Sequence, residues 1–300
     1  MDYKFAGDFS KAPLGAFTEA NKKKVWPGLS YDADKAGNHF ELVADDRFPG
    51  GVACRMTYPK GSYGMKDQFY QIRIKSPQTI CNLEFLWLAE TDFSWYSDVA
   101  GGDGGGGKLG PCINWGEVGG EDAKRGTRCM IWWNSHGSKK DNECFNPSCQ
   151  DQRSGNQLVQ PVVYSKRIET NKIYKFRIQM KGGPDGFAKY FVTYPGDTAE
   201  TALGEVKGKN MMATATDDVL YDFAFFSGGA SPAYSPEHDS YARHGGVRYW
   251  SGEAYWAGEG TPPNPEPGPG PDPIPATPGF TIELDGEVYE VSGSWKLKKR

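Results

Sequence analysis

The sequence has no apolar run near the roughly 18 residues that a bilayer span requires, and almost no stretch with helical periodicity. It also lacks charge of one sign: 34 basic residues stand against 38 acidic ones, a net of -4. That balance leaves no electrostatic footprint for wrapping nucleic acid. The first 17 residues show no basic start, apolar stretch and small-residue cleavage site, so no signal peptide is visible. There is no Asn-x-Ser/Thr sequon free of Pro, which removes N-glycosylation as an expectation. Cysteine is scarce. Cys54, Cys81, Cys112, Cys129, Cys144 and Cys149 can supply accessory staples at most. The spacing Cys144-x4-Cys149 fits no zinc ribbon, and a local disulfide there competes with free thiols. No metal site and no cofactor are expected.

Glycine and proline are abundant instead: 39 Gly and 21 Pro make 60 of 300 residues, against an average of about 12%. Turns are therefore frequent. Aromatic residues, at 14%, supply material for a core. Where the pattern is clean it has period two: Tyr70, Ile72 and Ile74 alternate with Gln71, Arg73 and Lys75. Likewise Tyr174, Phe176, Ile178 and Met180 alternate with Lys175, Arg177, Gln179 and Lys181. Further strands are expected at 53–58, 83–89, 128–133, 188–194, 219–226 and 247–250. Many strands with one wet face predict an all-β chain, an antiparallel β-sandwich of jelly-roll type. Residues 258–279 hold nine of the 21 prolines and no aromatic, which marks a Pro/Gly-rich linker. The expected organisation is thus a domain at 1–257, this linker, and a strand-forming tail at 280–300. The tail turns at Asp285-Gly286, and as an isolated hairpin it should dock on something.

Two familiar chemistries fail on inspection. Gly102 to Lys108 satisfies the opening of a phosphate-binding loop, but Leu109 stands where a magnesium-holding Ser or Thr is needed. Glu237-His238-Asp239 offers two carboxylates for a glycosidase, yet within a Pro- and Ser-rich loop without a third acid at strand spacing. No Gly-x-Ser-x-Gly elbow occurs. The stretch 126–133 is more informative, because in a strand Gly126, Arg128, Met130 and Trp132 share one face. Val162 and Tyr164 share another. A Lys on a loop, an Arg on a strand and a Tyr on a second strand suit one reaction. Cations neutralise a uronate carboxylate, so that the neighbouring C–H becomes acidic, while a Tyr moves the proton; this is β-elimination from an acidic polysaccharide.

Four stretches, at 54–63, 105–110, 126–132 and 225–241, follow the order of motifs in polysaccharide lyase family 14, and the chain resembles that family over roughly 40–250. The resemblance implies a β-jelly roll and an alginate- or glucuronate-lyase-like activity. It implies that Lys108 acts on the substrate carboxylate, that Arg128 is the Arg of a Ser-x-Arg strand, and that Tyr164 is the second Tyr of a Tyr-x-Tyr strand. Trp132, Arg55, Tyr63 and His136 are the expected substrate-binding residues. The chain departs from the pattern in three ways. Gly126 replaces the Ser, Val162 replaces the first Tyr, and a loop holding Cys144 and Cys149 separates Arg128 from Tyr164.

The expected function is that of a polysaccharide lyase-like protein acting on a uronate-containing polysaccharide, extracellular or at a virion surface. The alternative is a non-catalytic glycan-binding or decoration protein that reuses the fold, with the tail docking on a neighbour in a homo-oligomer or a virion or cell-surface assembly.

Overall fold

Alternation along the strands divides the molecule into an inside and two outsides. The computed structural model describes residues 4–62, 67–75, 80–95, 107–115, 127–135, 143–151, 158, 166–211, 220–226, 236–252, 280–284 and 287–291. In chain order the elements are β1 (Lys4–Ala6), β2 (Gly15–Ala16), α1 (Glu19–Val25), β3 (Leu29–Asp32), β4 (Phe40–Ala44), β5 (Val52–Tyr58), β6 (Phe69–Lys75) and β7 (Ile80–Ala89). There follow β8 (Gly107–Lys108), β9 (Pro111–Trp115), β10 (Thr127–Ser135), β11 (Glu143–Asp151), β12 (Tyr174–Lys181), β13 (Gly183–Thr193), β14 (Thr201–Met211), β15 (Leu220–Phe226) and β16 (Ser240–Ser251). The hairpin strands β17 (Phe280–Leu284) and β18 (Glu287–Val291) close the chain.

Two antiparallel sheets form the body. One runs β14-β13-β12-β7-β16-β5-β4-β2, with β1 added on β16; the other runs β11-β10-β9-β15-β6-β3, with β8 added on β10. This is an all-β sandwich with sequence-distant strands side by side, the arrangement expected of a jelly roll. Its core is aromatic. Tyr70 and Phe225 stack at 4.6 Å, Phe145 meets Phe176 at 4.7 Å, and Trp133 meets Phe93 edge-on at 5.4 Å. Each such pair adds about 0.5–1.5 kcal/mol beyond the area it buries. Two smaller apolar groups lie outside this core: Cys112 with Met130, flanked by Phe69 and Trp132, and Phe48 with Ala53 and Leu88.

His244 is buried with its ring stacked on Phe225 at 5.5 Å, and desolvation pushes its pKa down to about 3, so it is neutral. The one α-helix among the described residues, α1, was not anticipated from periodicity. Thr18 caps it by accepting from the Asn21 amide at 3.4 Å, Glu19 sits in its first turn, and Lys22, Lys23 and Lys24 lie in its last. Pro27 follows its cap residue, Trp26.

One sequence expectation is corrected, and the choice left open at the cysteines is decided. Residues 143–151, taken for a loop, form β11, which pairs with β10 over nine positions from Thr127↔Asp151 to Ser135↔Glu143. Cys144 and Cys149 therefore lie five residues apart on one strand, about 17 Å at strand rise, and cannot be bonded to one another. All six cysteines are free thiols; Cys129 and Cys149 face each other across the strands with sulfurs 3.7 Å apart.

The chain divides into two compact units, Met1–Glu259 and Gly260–Arg300. In the second, β17 and β18 pair from Phe280↔Val291 to Leu284↔Glu287. The expected linker at 258–279 lies outside the described residues.

Candidate functional site

The site is built on the face of the seven-stranded sheet that points away from the shared core. On β10, Cys129, Ile131 and Trp133 belong to that core, so Arg128, Met130 and Trp132 face the other way. Directly opposite residues of an antiparallel pair share a face. Met130 pairs with Ser148, Trp132 with Asn146 and with Lys108, and Arg128 with Gln150. Lys108, Arg128 and Trp132 therefore come together, with the Lys108 Nζ 5.1 Å from the centre of the Trp132 ring.

Lys108 is aimed by a local irregularity. Lys108 pairs with Trp132 and Ile113 pairs with Cys129, so residues 109–112 span a gap that β10 crosses with Met130 and Ile131. Two extra residues make a bulge, a device that redirects side chains. Glycine is required before it and within it. A Cβ at Gly107 would fall 2.6 Å from the Trp133 indole, and Gly110 has a φ of +112°. Leu109 is buried and its amide donates to the Ile131 carbonyl at 3.1 Å. The Tyr58 hydroxyl donates to the Lys108 carbonyl at 2.7 Å from the core side. Tyr58 is thus a positioning residue that sequence reasoning missed. Its signal was the alternation Cys54, Met56, Tyr58, all inward, within the first motif.

Lys108 and Arg128 are each only 6% exposed. Loss of water pushes the Lys108 ammonium down to about 8, with the Arg128 charge adding to the shift and Cys112 opposing it. Desolvation also lowers the Arg128 guanidinium. The two cations are buried close enough for the Arg128 charge to make the Lys108 ammonium easier to deprotonate. Among the described residues, no group of three or more His, Cys, Asp or Glu is placed to hold a metal ion.

Of the other expected site residues only Arg55 is described, and it does not join this group. Arg55 lies on β5, in the other sheet, where it pairs with Glu41 and covers the Tyr241 ring at 4.3 Å. Its neighbours Cys54 and Met56 point inward, so Arg55 faces outward on the opposite side of the sandwich. Tyr63, His136 and Tyr164 lie outside the described residues, as do Gly126, Val162 and the glycine run 101–106. Arg128 is flanked by β9 and β11, neither of which contains a tyrosine, and on β11 Asn146, Ser148 and Gln150 occupy the positions opposite Trp132, Met130 and Arg128. Glu237-His238-Asp239 has a structural use: Asp239 accepts from the Lys60 amide at 2.8 Å, while Gly61 donates to the Pro236 carbonyl at 2.9 Å. The first and last of the four motifs are thereby joined.

No protein-family model matches the chain, and no curated protein matches its sequence. The fold is shared with solved alginate lyases. An alginate lyase in complex with alginate tetrasaccharide superposes with a TM-score of 0.58 at 15% identity, covering 83% of this chain and 97% of that one. The same lyase with alginate trisaccharide gives 0.59 at 15% identity, over 83% and 97% of the two chains. The marine PL-14 alginate lyase from Aplysia kurodai gives 0.56 at 15% identity, over 82% and 97%. The class defined by fold is therefore the polysaccharide lyase-like β-sandwich.

Proposed function

We propose that this protein binds a uronate-containing polysaccharide on the outer face of the seven-stranded sheet and cleaves it by β-elimination, acting outside the cell where such polymers occur. The observation that carries the reading is the placement of Lys108 and Arg128, both nearly buried, beside Trp132 on one face. The two cations would neutralise the substrate carboxylate, and Trp132 would stack on a sugar ring. A base then removes the proton on the carbon next to the carboxylate. Its electron pair becomes a carbon–carbon double bond, the bond to the glycosidic oxygen breaks, and an acid protonates the departing oxygen. A Lys108 pKa of about 8 lets that amine be charged when it meets the carboxylate and still exchange a proton near neutrality. Tyr164 remains the proposed proton-transfer group. The alginate-bound neighbours support this class of ligand.

The test is ultraviolet absorbance from unsaturated uronate ends during incubation with alginate or polyglucuronate. A rise that Lys108→Met abolishes is expected; no rise on any acidic glycan, from folded protein, overturns the enzymatic reading.

One observation favours a second reading, glycan binding without turnover. Of the described strands beside Arg128, β11 offers Asn146, Ser148 and Gln150, and neither it nor β9 offers a phenol. Binding of alginate without new absorbance would select it. On that reading 280–300 would serve as the docking strand pair, and its deletion should change the oligomer size.

A further inference from the structure

The same sheet face continues beyond Lys108 and Arg128 toward the β3 edge. The backbone register carries one row across it: Arg73 pairs with Asp222, Asp222 with Asn114, and Asn114 with Arg128. On β6, Tyr70 and Ile72 belong to the core, so Phe69, Gln71 and Arg73 face outward. Arg73 and Arg128 thus occupy one row of one face, three strand spacings apart, or about 14 Å. A second row leads to the edge: Tyr31 pairs with Gln71, Gln71 with Ala224, and Ala224 with Cys112. Tyr31 stacks on Phe69 at 5.3 Å and 26°, and Phe69 packs with Trp132 against Cys112 and Met130. Aromatic surface is therefore continuous in kind from Trp132 to the edge, four strand spacings away, or about 19 Å.

Tyr31 is 45% exposed, one of two large apolar side chains so exposed among the described residues. Stacked on Phe69 at the sheet edge, it presents an aromatic face to water on which a sugar ring can stack.

We propose that Tyr31, supported by Phe69, forms a distal subsite that holds an acidic polysaccharide chain extending from the Lys108–Arg128 site. This rests on the reading given under Proposed function. The occupant follows from continuity: the Tyr31–Phe69 platform lies on the same face as Trp132, so a sugar chain held at the Lys108–Arg128 site and extending toward the β3 edge would meet it. Asp222 occupies the row between Arg73 and Arg128, so the distal contact is assigned to ring stacking rather than to a second cation.

The experiment compares binding of alginate trisaccharide and alginate octasaccharide by titration calorimetry, for the wild-type chain, Tyr31→Ala and Tyr31→Trp. The expected result for Tyr31→Ala is a roughly threefold to tenfold weaker Kd for the octasaccharide, with an unchanged Kd for the trisaccharide and an unchanged Tm. Tyr31→Trp should restore octasaccharide binding. Equal octasaccharide binding by wild type and Tyr31→Ala overturns the distal subsite and leaves the central site standing. Equal weakening on both ligands also overturns it, because the effect would not be distal. A wild-type dimer that Tyr31→Ala converts to monomer overturns it in favour of an interface between copies. Failure of the wild-type protein to bind either ligand overturns this proposal together with the reading beneath it.

Discussion

Among the described residues two lysines are buried, Lys22 and Lys108, in different company. Lys22 on α1 is fully buried, and its Nζ donates to both oxygens of Asp32 at 2.9 and 3.0 Å and to the Asp34 carbonyl at 2.6 Å. The rings of Phe17, Phe40 and Tyr70 surround it at 5.1–5.9 Å. Lys108 is almost as buried, but Arg128 repels it and Trp132 lies under it. Burial sets the same desolvation cost in both places, and the sign of the neighbouring charge decides what results. Beside carboxylates, the lysine ties α1 to β3. Beside an arginine, its ammonium gives up a proton more easily, the kind of perturbation that the proposed function would use.

The largest effect that would sharpen the contrast is on turnover. Lys108→Met should lower the rate of uronate elimination by about 100-fold to 10,000-fold, while the thermal midpoint stays level or rises, because a desolvated charge is removed. The absorbance assay and a melting curve on the same sample measure both. The contrast collapses if Lys108→Met loses its fold.

Lys22→Met should do the reverse. It leaves Asp32 and Asp34 without their cation in a buried pocket, at a cost of about 3–5 kcal/mol, read as a shift of the urea midpoint. Burial already pushes the Asp32 carboxyl up more than Lys22 pulls it down. A loss below about 1 kcal/mol would show that Lys22 is not the staple its geometry describes.

Alkaline titration is the next test. The Lys108 pKa is about 8 in the folded chain and about 10.4 when unfolded. Between these values the unfolded chain binds more protons, so this group makes stability rise with pH. Its penalty is fully present below about 8. The gap corresponds to about 3 kcal/mol at most. Buried groups such as the Cys54 and Cys129 thiols and the Tyr58 phenol have raised pKa values and act in the opposite direction. The quantity to measure is therefore the difference in slope between wild type and Lys108→Met, which should be positive in this window and absent near neutrality.

How much of this was legible beforehand follows from the range of the forces involved. Strict alternation, as in Tyr70 to Lys75 and Tyr174 to Lys181, is a local property, and both segments are strands, β6 and β12. β11 was missed because Asn146-Pro147-Ser148 interrupts its apolar pattern, and a Pro mid-run argues against a strand. Its existence depends on pairing with β10. Lys22 reads as one of three consecutive helix lysines, and only Asp32, Asp34 and three rings from other segments make it internal. Lys108, Arg128 and Trp132 were expected to act together and they do share one face. Alternation sets Arg55 opposite in facing to Met56, but only the strand order places that outward face on the far sheet.

Arg55 supplies the smallest prediction and a control for the lysine contrast. It is a partly exposed cation with a carboxylate partner, Glu41, and an aromatic partner, Tyr241. Exposed ion pairs and cation–π contacts of this kind contribute about 1 kcal/mol or less each. Arg55→Gln should therefore lower stability by about 1 kcal/mol, with part of the loss disappearing in high salt as the Glu41 pair is screened. Elimination rate and alginate affinity should not change, since Arg55 lies on the sheet face opposite Lys108. A loss of alginate affinity in Arg55→Gln, with the melting point intact, would mean that the glycan contacts both faces of the sandwich. The lesson of the two lysines would then have to be extended to a third cation whose carboxylate partner does not keep it from ligand.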